Sequence, residues 1–575
     1  MILGAVGAGA AGLGAWWYAQ RPPAPAPLPP FKPGADFSNR LRVPGADGFL
    51  GVYDISQNFT ISAKSTQQAI MPGKPVALLT YEIEGNGKVW HNPVLRLKKG
   101  GSVKAKHWNG LPETSIIHWH GLIVDSNNDG HPHYAVKGGE TYEYQFAVPN
   151  RAATYWYHPH PHHLTGKQVY QGLAGFFIVE DDDEIALQKA LDLKLGETDI
   201  PLMIHDRRLD AQGQLVFNPT DEDKADGFLG EQVLVNWTPK PYFEATTRVY
   251  RLRVLNASNA RLYKLAFLNG KTPVEFQVIA NDGGLLNAPQ KATEVFLGSA
   301  ERVEILLDLR SAKVGDTLTF ASVAFDPMEH EDGPPDADKK DEKSDAKKDA
   351  KSDKPAEKSA HAMHGKSEEK GDKSGGKKDD KKVAKKDEAK ADGKDKPDIS
   401  EIGVAMDLMR IHVTGKVAYD RAVPAKLSTV TPTPANCGTA RTILLDHEKM
   451  VWRINGQTYV QEATPITVKK GAVEVWEIKN AAASMPHPFH IHGFQFQVLE
   501  RKNSPEQQKK LAVNAQGLAA TDLGWKDTVL VWPGESACIV IDFSHTFYGS
   551  QVYMIHCHNL EHEDQGMMLN LKVEA

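Results

Sequence analysis

Short runs in which apolar and polar residues alternate recur along most of the chain. Val94-Leu-Arg-Leu97 and Tyr142-Glu-Tyr-Gln-Phe-Ala-Val148 are examples from the first third, and Ala472-Val-Glu-Val-Trp-Glu-Ile478 and Cys538-Ile-Val-Ile-Asp-Phe543 from the last. A period of two turns one set of side chains inward, as a half-buried strand requires. Gly, Pro and Asn punctuate the runs, which argues for antiparallel pairing. Long amphipathic helical stretches are scarce, so the pattern predicts an all-β sandwich architecture.

The same frame occurs three times. Gly101-Ser-Val, Asn109 and His118-Trp-His120-Gly121 match Gly471-Ala-Val, Asn480 and His490-Ile-His492-Gly493. Gly139-Glu140 precedes His158-Pro-His160 as Gly534-Glu535 precedes His556-Cys-His558. Between these units, Arg251-Leu-Arg-Val-Leu-Asn256 and Gly298-Ser-Ala-Glu-Arg-Val keep the frame without any His pair. Internal repetition fixes the architecture: three copies of one sandwich, the outer two carrying candidate ligands. The predicted units are 35–182, 183–420 and 421–575.

Two stretches depart from the pattern. Residues 331–400 hold 20 Lys and 20 Asp plus Glu with almost no large apolar side chains, so they are expected to be disordered. β pattern resumes at Leu408-Met-Arg-Ile-His-Val, making 329–400 an insertion late in the middle unit. His361, Met363 and His364 within it are read as stray residues of a solvated loop, with transient copper capture as the alternative. Residues 1–34 comprise an uncharged Gly/Ala-rich run at 2–19 and a Pro-rich spacer. The run is read as an export signal or an N-terminal anchor, which puts the protein outside the cytoplasm, in a periplasm, with a possible membrane tether.

A formal charge of −6 over 575 residues gives no reason to expect nucleic acid. Three cysteines exclude a disulfide framework. Cys437 and Cys538 can pair or remain free thiols. Cys557 stands apart, within His556-Cys557-His558, followed by His562 and Met567. On a strand His556 and His558 face one way and Cys557 the other, so one strand can serve two metal sites back to back. A thiolate, an imidazole and a weak thioether, completed by His487, are the donors of a blue-copper centre. Four His-x-His pairs, 118/120, 158/160, 490/492 and 556/558, place eight imidazoles at matching repeat positions. Eight suit three copper ions with coordination positions left open for a small ligand such as dioxygen.

HWHG, HPH, HPFHIHG and HCHNLEHEDQGMM resemble the copper motifs of the multicopper oxidases, which include laccases, bilirubin oxidases and bacterial cuprous oxidases. HPHPHHLTGKQVYQGLAGFFIVEDD and GWKDTV also resemble the bacterial copper-efflux oxidases. The resemblance covers most of residues 36–575. It implies three cupredoxin-like Greek-key domains and four copper ions. One type 1 copper would sit at His487, Cys557 and His562 with axial Met567, and one type 2 copper at His118 and His490. Two type 3 coppers would share His120, His158, His160, His492, His556 and His558. The implied reaction moves single electrons from a reductant through Cys557 to His556 and His558, and reduces O2 to water with four of them.

Glu563 and Asp129 match positions that supply protons in the cuprous oxidases, whereas Asp527 reads as structural. His162 and His163 extend a motif, His131 and His133 read as solvated loop residues, and Met485 either lines the approach to the Cys557 site or packs in the core. The chain departs from the cuprous oxidases in lacking a Met-rich insertion and in carrying Ala483 where an acid is expected. Phenols and aromatic amines are therefore expected reductants alongside Cu(I), with a dedicated cuprous oxidase or a non-catalytic copper carrier as alternatives. A monomer is expected.

Overall fold

The structure, a computed structural model, describes residues 37–71, 74–329, 401–449 and 451–575. The export or anchor segment and the charged insertion, with His361, Met363 and His364, lie outside the described residues. Strands dominate and fall into six sheets, two to each of three cupredoxin-like sandwiches. The first sandwich pairs a six-stranded with a five-stranded sheet, the middle one two seven-stranded sheets, and the last two five-stranded sheets.

Each sandwich buries its own core, because the inward positions of its two sheets face each other. Ile61, Val103, Trp119, Tyr157 and Phe177 form the first, and Ile204, Val254, Phe267, Ile305 and Phe320 the middle. Trp476, Phe489, Ile491, Ile539 and Ile555 belong to the last, which also encloses Cys557 and Met567. The type 1 candidates are thus embedded in a hydrophobic core, where water cannot compete for their donor atoms.

One connection crosses the expected unit boundaries, and another brackets the insertion. Asn39–Arg40 pairs in parallel with Pro241–Tyr242, so the start of the described chain belongs to the middle sandwich. Thr317–Ser322 and Met406–Gly415 are antiparallel neighbours, and Phe325 N–H donates to Gly403 O at 3.0 Å. The residues flanking the charged insertion therefore lie side by side in one sheet. Cys437 and Cys538, left open by the sequence, form a disulfide spanning 101 positions. It ties the segment entering the last sandwich to the interior strand Ser536–Asp542.

Candidate metal centres

The His-x-His pairs lie on short paired strands. His118 is the cross-strand partner of His158, and His490 that of His556. The strand His487–Ile491 runs between Gln551–Cys557 and Thr528–Val531, with His490 opposite Thr528. His487–Ile491 is buried along its whole length, and Gln551–Cys557 at every position but Val552. Alternation then sends His490, His492, His556 and His558 toward the first sandwich and leaves Cys557 in the last core.

At the Cys557 site, Sγ lies 3.4 Å from His487 Nδ1 and 3.7 Å from His562 Nδ1. Asn559 organises this corner in two ways. Its N–H donates to Cys557 Sγ at 3.4 Å, while its side chain caps the helix Leu560–Asp564 that carries His562. His562 Nε2–H donates to Ala225 O at 2.8 Å, and His487 Nε2–H to Ser484 Oγ at 3.1 Å. Both rings thereby present Nδ1 to the thiol. Met567 is fully buried in the same core, and its carbonyl accepts from Cys557 N–H at 3.1 Å. Trp452 closes the outer side, with ring centroids 4.7 Å from His487 and 4.8 Å from His562. Its indole N–H donates to Ala225 O at 2.6 Å.

The eight imidazoles of the four pairs converge between the first and last sandwiches. His118 stacks on His492 and His120 on His490, each at 3.8 Å. Acceptors around the rim choose which nitrogen of each ring looks inward. His118 Nδ1–H donates to Asp129 O at 2.6 Å, and His492 Nδ1–H to Asp129 Oδ2 at 2.7 Å. His490 Nδ1–H donates to Asp527 O at 2.8 Å, and His158 Nδ1–H to Pro159 O at 2.9 Å. His556 Nδ1–H donates to Cys557 O at 3.1 Å. His120 is turned the other way, Nε2–H donating to Asp527 Oδ1 at 3.0 Å.

The inward nitrogens then face one another with lone pairs. His492 Nε2 is 3.0 Å from His556 Nε2, and His120 Nδ1 is 3.3 Å from His158 Nε2. His118 Nε2, His490 Nε2 and both nitrogens of His558 are buried without a partner. Burial holds the buried imidazoles of both sites well below their ordinary range, with His492 and His556 adding to it at His118: His118 and His562 stand at about 3 and His556 at about 4. They are neutral donors at any ordinary pH. Two nitrogens bound to one ion at ~2 Å sit about 3–3.4 Å apart, so the residues fit metal ions and repel one another without them. Burial also pushes the Cys557 thiol well up, so a cation is what would release its proton.

Histidine with thiolate and thioether suits copper better than harder ions. The donor groupings are His487 with Cys557 and His562, His160 with His492 and His556, His118 with His120 and His158, His118 with His490 and His492, and His120 with His490 and Asp527. Besides Asp527, two carboxylates stand beside the cluster. Glu563 Oε2 is 3.2 Å from His556 Nδ1 and its Oε1 3.4 Å from His160 Nε2. Burial holds Asp129 up at about 6 and Glu563 well above the carboxylate range.

Several residues stand elsewhere than sequence reading put them. His131 is buried rather than solvated, its Nε2 paired with Asn570 Oδ1 at 2.9 Å, because the last sandwich covers its loop. His133 is half exposed, as a loop residue should be. His162 and His163 stack on each other at 3.6 Å, outside the donor groups. Met485 is buried in the last core. Asp527 touches His120 directly, which a purely structural reading misses. Trp452 and Ala225 carried no signal at all, since neither lies near a ligand in sequence.

Two segments match family profiles, each described as multicopper oxidase, at residues 65–184 and 431–575. The multicopper oxidase mco of Staphylococcus epidermidis is 30% identical over 522 residues, covering 90% of this chain and 88% of its own. The laccase of Bacillus subtilis is 28% identical, covering 84% of this chain and 88% of its own. The crystal structure of McoA multicopper oxidase from the hyperthermophile Aquifex aeolicus superposes with a TM-score of 0.74 at 37% identity, covering 93% of this chain and 99% of that one. With ten histidines, one cysteine and this degree of likeness over nearly its whole length, the chain belongs to the multicopper oxidase family, copper enzymes that oxidise their substrates with dioxygen.

Proposed function

We propose that the protein is a laccase-like oxidase holding four copper ions, one at the Cys557 site and three among the eight cluster imidazoles. The observation that carries this reading is the continuity of the strand ending in His556-Cys557, with His558 next along the chain. Two peptide-linked histidines of the cluster flank the one thiol of the other site. Copper bound there would supply one-electron oxidation at Cys557 and reduction of dioxygen to water at the cluster.

The protein's own part is positioning and proton supply. His487, Cys557 and His562 are locked by Ser484, Asn559 and Ala225, so the site changes little in shape as its charge changes. Met567 is proposed to offer the copper a weak thioether donor, which would moderate the site's potential relative to Leu or Phe. Glu563 and Asp129 lie against cluster imidazoles, and their raised affinity for protons suits them to hand protons to reduced oxygen. A fully buried cluster keeps partly reduced oxygen from escaping.

The reductant meets the protein at Trp452 and the helix Asp221–Asp226, whose Ala225 touches both Trp452 and His562. An aromatic edge over the site favours phenols and aromatic amines. Cu(I) as substrate is the second reading, favoured by the carboxylates of Asp221, Glu222 and Asp226 on that helix. The Cys437–Cys538 disulfide supports an oxidising compartment, in keeping with export to a periplasm. Among the described residues no helix is long and apolar enough to cross a membrane. Oxygen uptake by the copper-loaded protein, with a methoxyphenol and with Cu(I) in turn, tests the reading. Uptake with the phenol supports a laccase, uptake with Cu(I) alone a cuprous oxidase. A blue protein that consumes no oxygen with either would overturn both in favour of a carrier.

A further inference from the structure

We propose that Arg302 and Asp527 form a positioning pair through which the middle sandwich, itself without His pairs, fixes the donor atom of His120. The inference rests on the copper-oxidase reading above. Arg302 begins the strand Arg302–Asp308 of the middle sandwich, and Asp527 precedes Thr528–Val531 of the last. His120 belongs to the first. All three side chains are fully buried.

Arg302 holds Asp527 with a two-pronged grip: Nη1 donates to Oδ1 at 2.8 Å and Nη2 to Oδ2 at 2.5 Å. Its remaining N–H groups donate to backbone carbonyls of Thr154 at 3.0 Å, Ala300 at 2.9 Å and Asp282 at 3.1 Å. A guanidinium so fully bonded cannot turn, and it fixes the carboxylate plane. Besides Arg302, Oδ1 accepts from His120 Nε2–H at 3.0 Å. Thr528 Oγ1 donates to the same oxygen at 2.9 Å. The backbone is shaped to the pair as well. Gly121 has φ +85°, and a Cβ there would stand 2.5 Å from Asp527 Oδ2.

The consequence is chemical. With the proton held on Nε2, His120 offers Nδ1 inward, whereas His118, His158, His490, His492 and His556 offer Nε2. A neutral amide at position 527 cannot satisfy both neighbours. With its oxygen in the place of Oδ1, its NH2 would face the Arg302 Nη2–H donor; turned over, its NH2 would face both Arg302 Nη1–H and His120. Facing His120, it would favour the tautomer with the proton on the inward nitrogen.

The test compares Asp527→Asn and Arg302→Lys with wild type and with Asp522→Asn. Asp522 is paired by two bonds to buried Arg501 at 2.9 and 2.7 Å and reports general loss of a buried ion pair. The readouts are copper atoms per chain, the blue absorption of the Cys557 site, and the rate at which a chelator strips the remaining copper. Asp527→Asn and Arg302→Lys should keep the blue band and lose cluster copper about 10- to 100-fold faster, the range for altered support of a metal ligand. Asp522→Asn should unfold earlier yet keep its copper. Arg302→Lys retains the charge and gives the answer if Asp527→Asn does not fold. Cluster copper held at the wild-type rate in both variants, or lost equally from Asp522→Asn, would overturn the proposal. A wild-type protein binding copper at Cys557 alone would instead overturn the functional reading on which it rests.

Discussion

The two donor sets differ in what surrounds them. Around Cys557, the outer ring nitrogens of His487 and His562 are bonded to a hydroxyl and a carbonyl, with an amide N–H on the sulfur. Around the histidine cluster, three carboxylates stand within hydrogen-bonding reach or close to it: Asp129 on His492, Asp527 on His120, and Glu563 on His556. The difference follows the proposed division of labour. A site that passes single electrons gains from neutral, rigid neighbours, because nothing then takes up a proton when its charge changes. A site that converts dioxygen to water must receive four protons, and acids beside it can deliver them.

The largest break is at the thiol. Cys557→Ser should abolish the blue colour and turnover together while the cluster still takes up copper, measured by absorbance, oxygen uptake and metal content. A blue, active variant would sink the assignment of both sites. Next comes Glu563→Gln, which keeps shape and removes the acid. Oxygen reduction should fall ~10²–10⁴-fold, the usual weight of a positioned acid, with the blue band unchanged. Unaltered turnover would show that the carboxylate contrast has no bearing on protons.

A buried histidine outside both sites separates general acid sensitivity from that of the sites. His107 is fully buried, and burial pushes it down to about 4. Its neutral form is favoured in the folded chain, so the stability it contributes is complete above ~6.5 and is lost as pH falls toward 4. The difference amounts to about 3 kcal/mol at most. His107→Gln should flatten the acid limb of urea unfolding by that order, and an unchanged limb would contradict it. The smallest effect is expected at Trp452→Phe, which keeps a ring over His562 and loses the bond to Ala225, worth about 1 kcal/mol. KM for a phenol should shift several-fold with the cluster's copper unchanged. A change in cluster copper would mean that the two sites are not insulated in the way their surroundings suggest.

The candidate donors were legible in the sequence because strand alternation is local: His556, Cys557 and His558 need only their own spacing to divide between two donor groups. The repeat likewise carried the architecture. What it could not carry was the support of those ligands. Asp527 meets His120 across 407 positions and Arg302 across 225, and no spacing rule joins residues from different sandwiches. His131 shows the same limit in reverse. Its loop reads as open, and it is Asn570, 439 positions away, that closes over it. The pairing of Cys437 with Cys538 was equally beyond local reading, since it depends on how a connecting segment crosses a sheet.

The strands that flank the charged stretch are hydrogen-bonded neighbours, with Phe325 and Gly403 extending their pairing. A connection whose two ends are already held together behaves as a cassette. Its closure cost grows only with the logarithm of its length, so trimming some eighty residues to a short turn would gain only about 2 kcal/mol. Lineages of this enzyme could therefore acquire, exchange or discard polymeric charge at this one seam while the copper-binding framework stays under its own, separate selection.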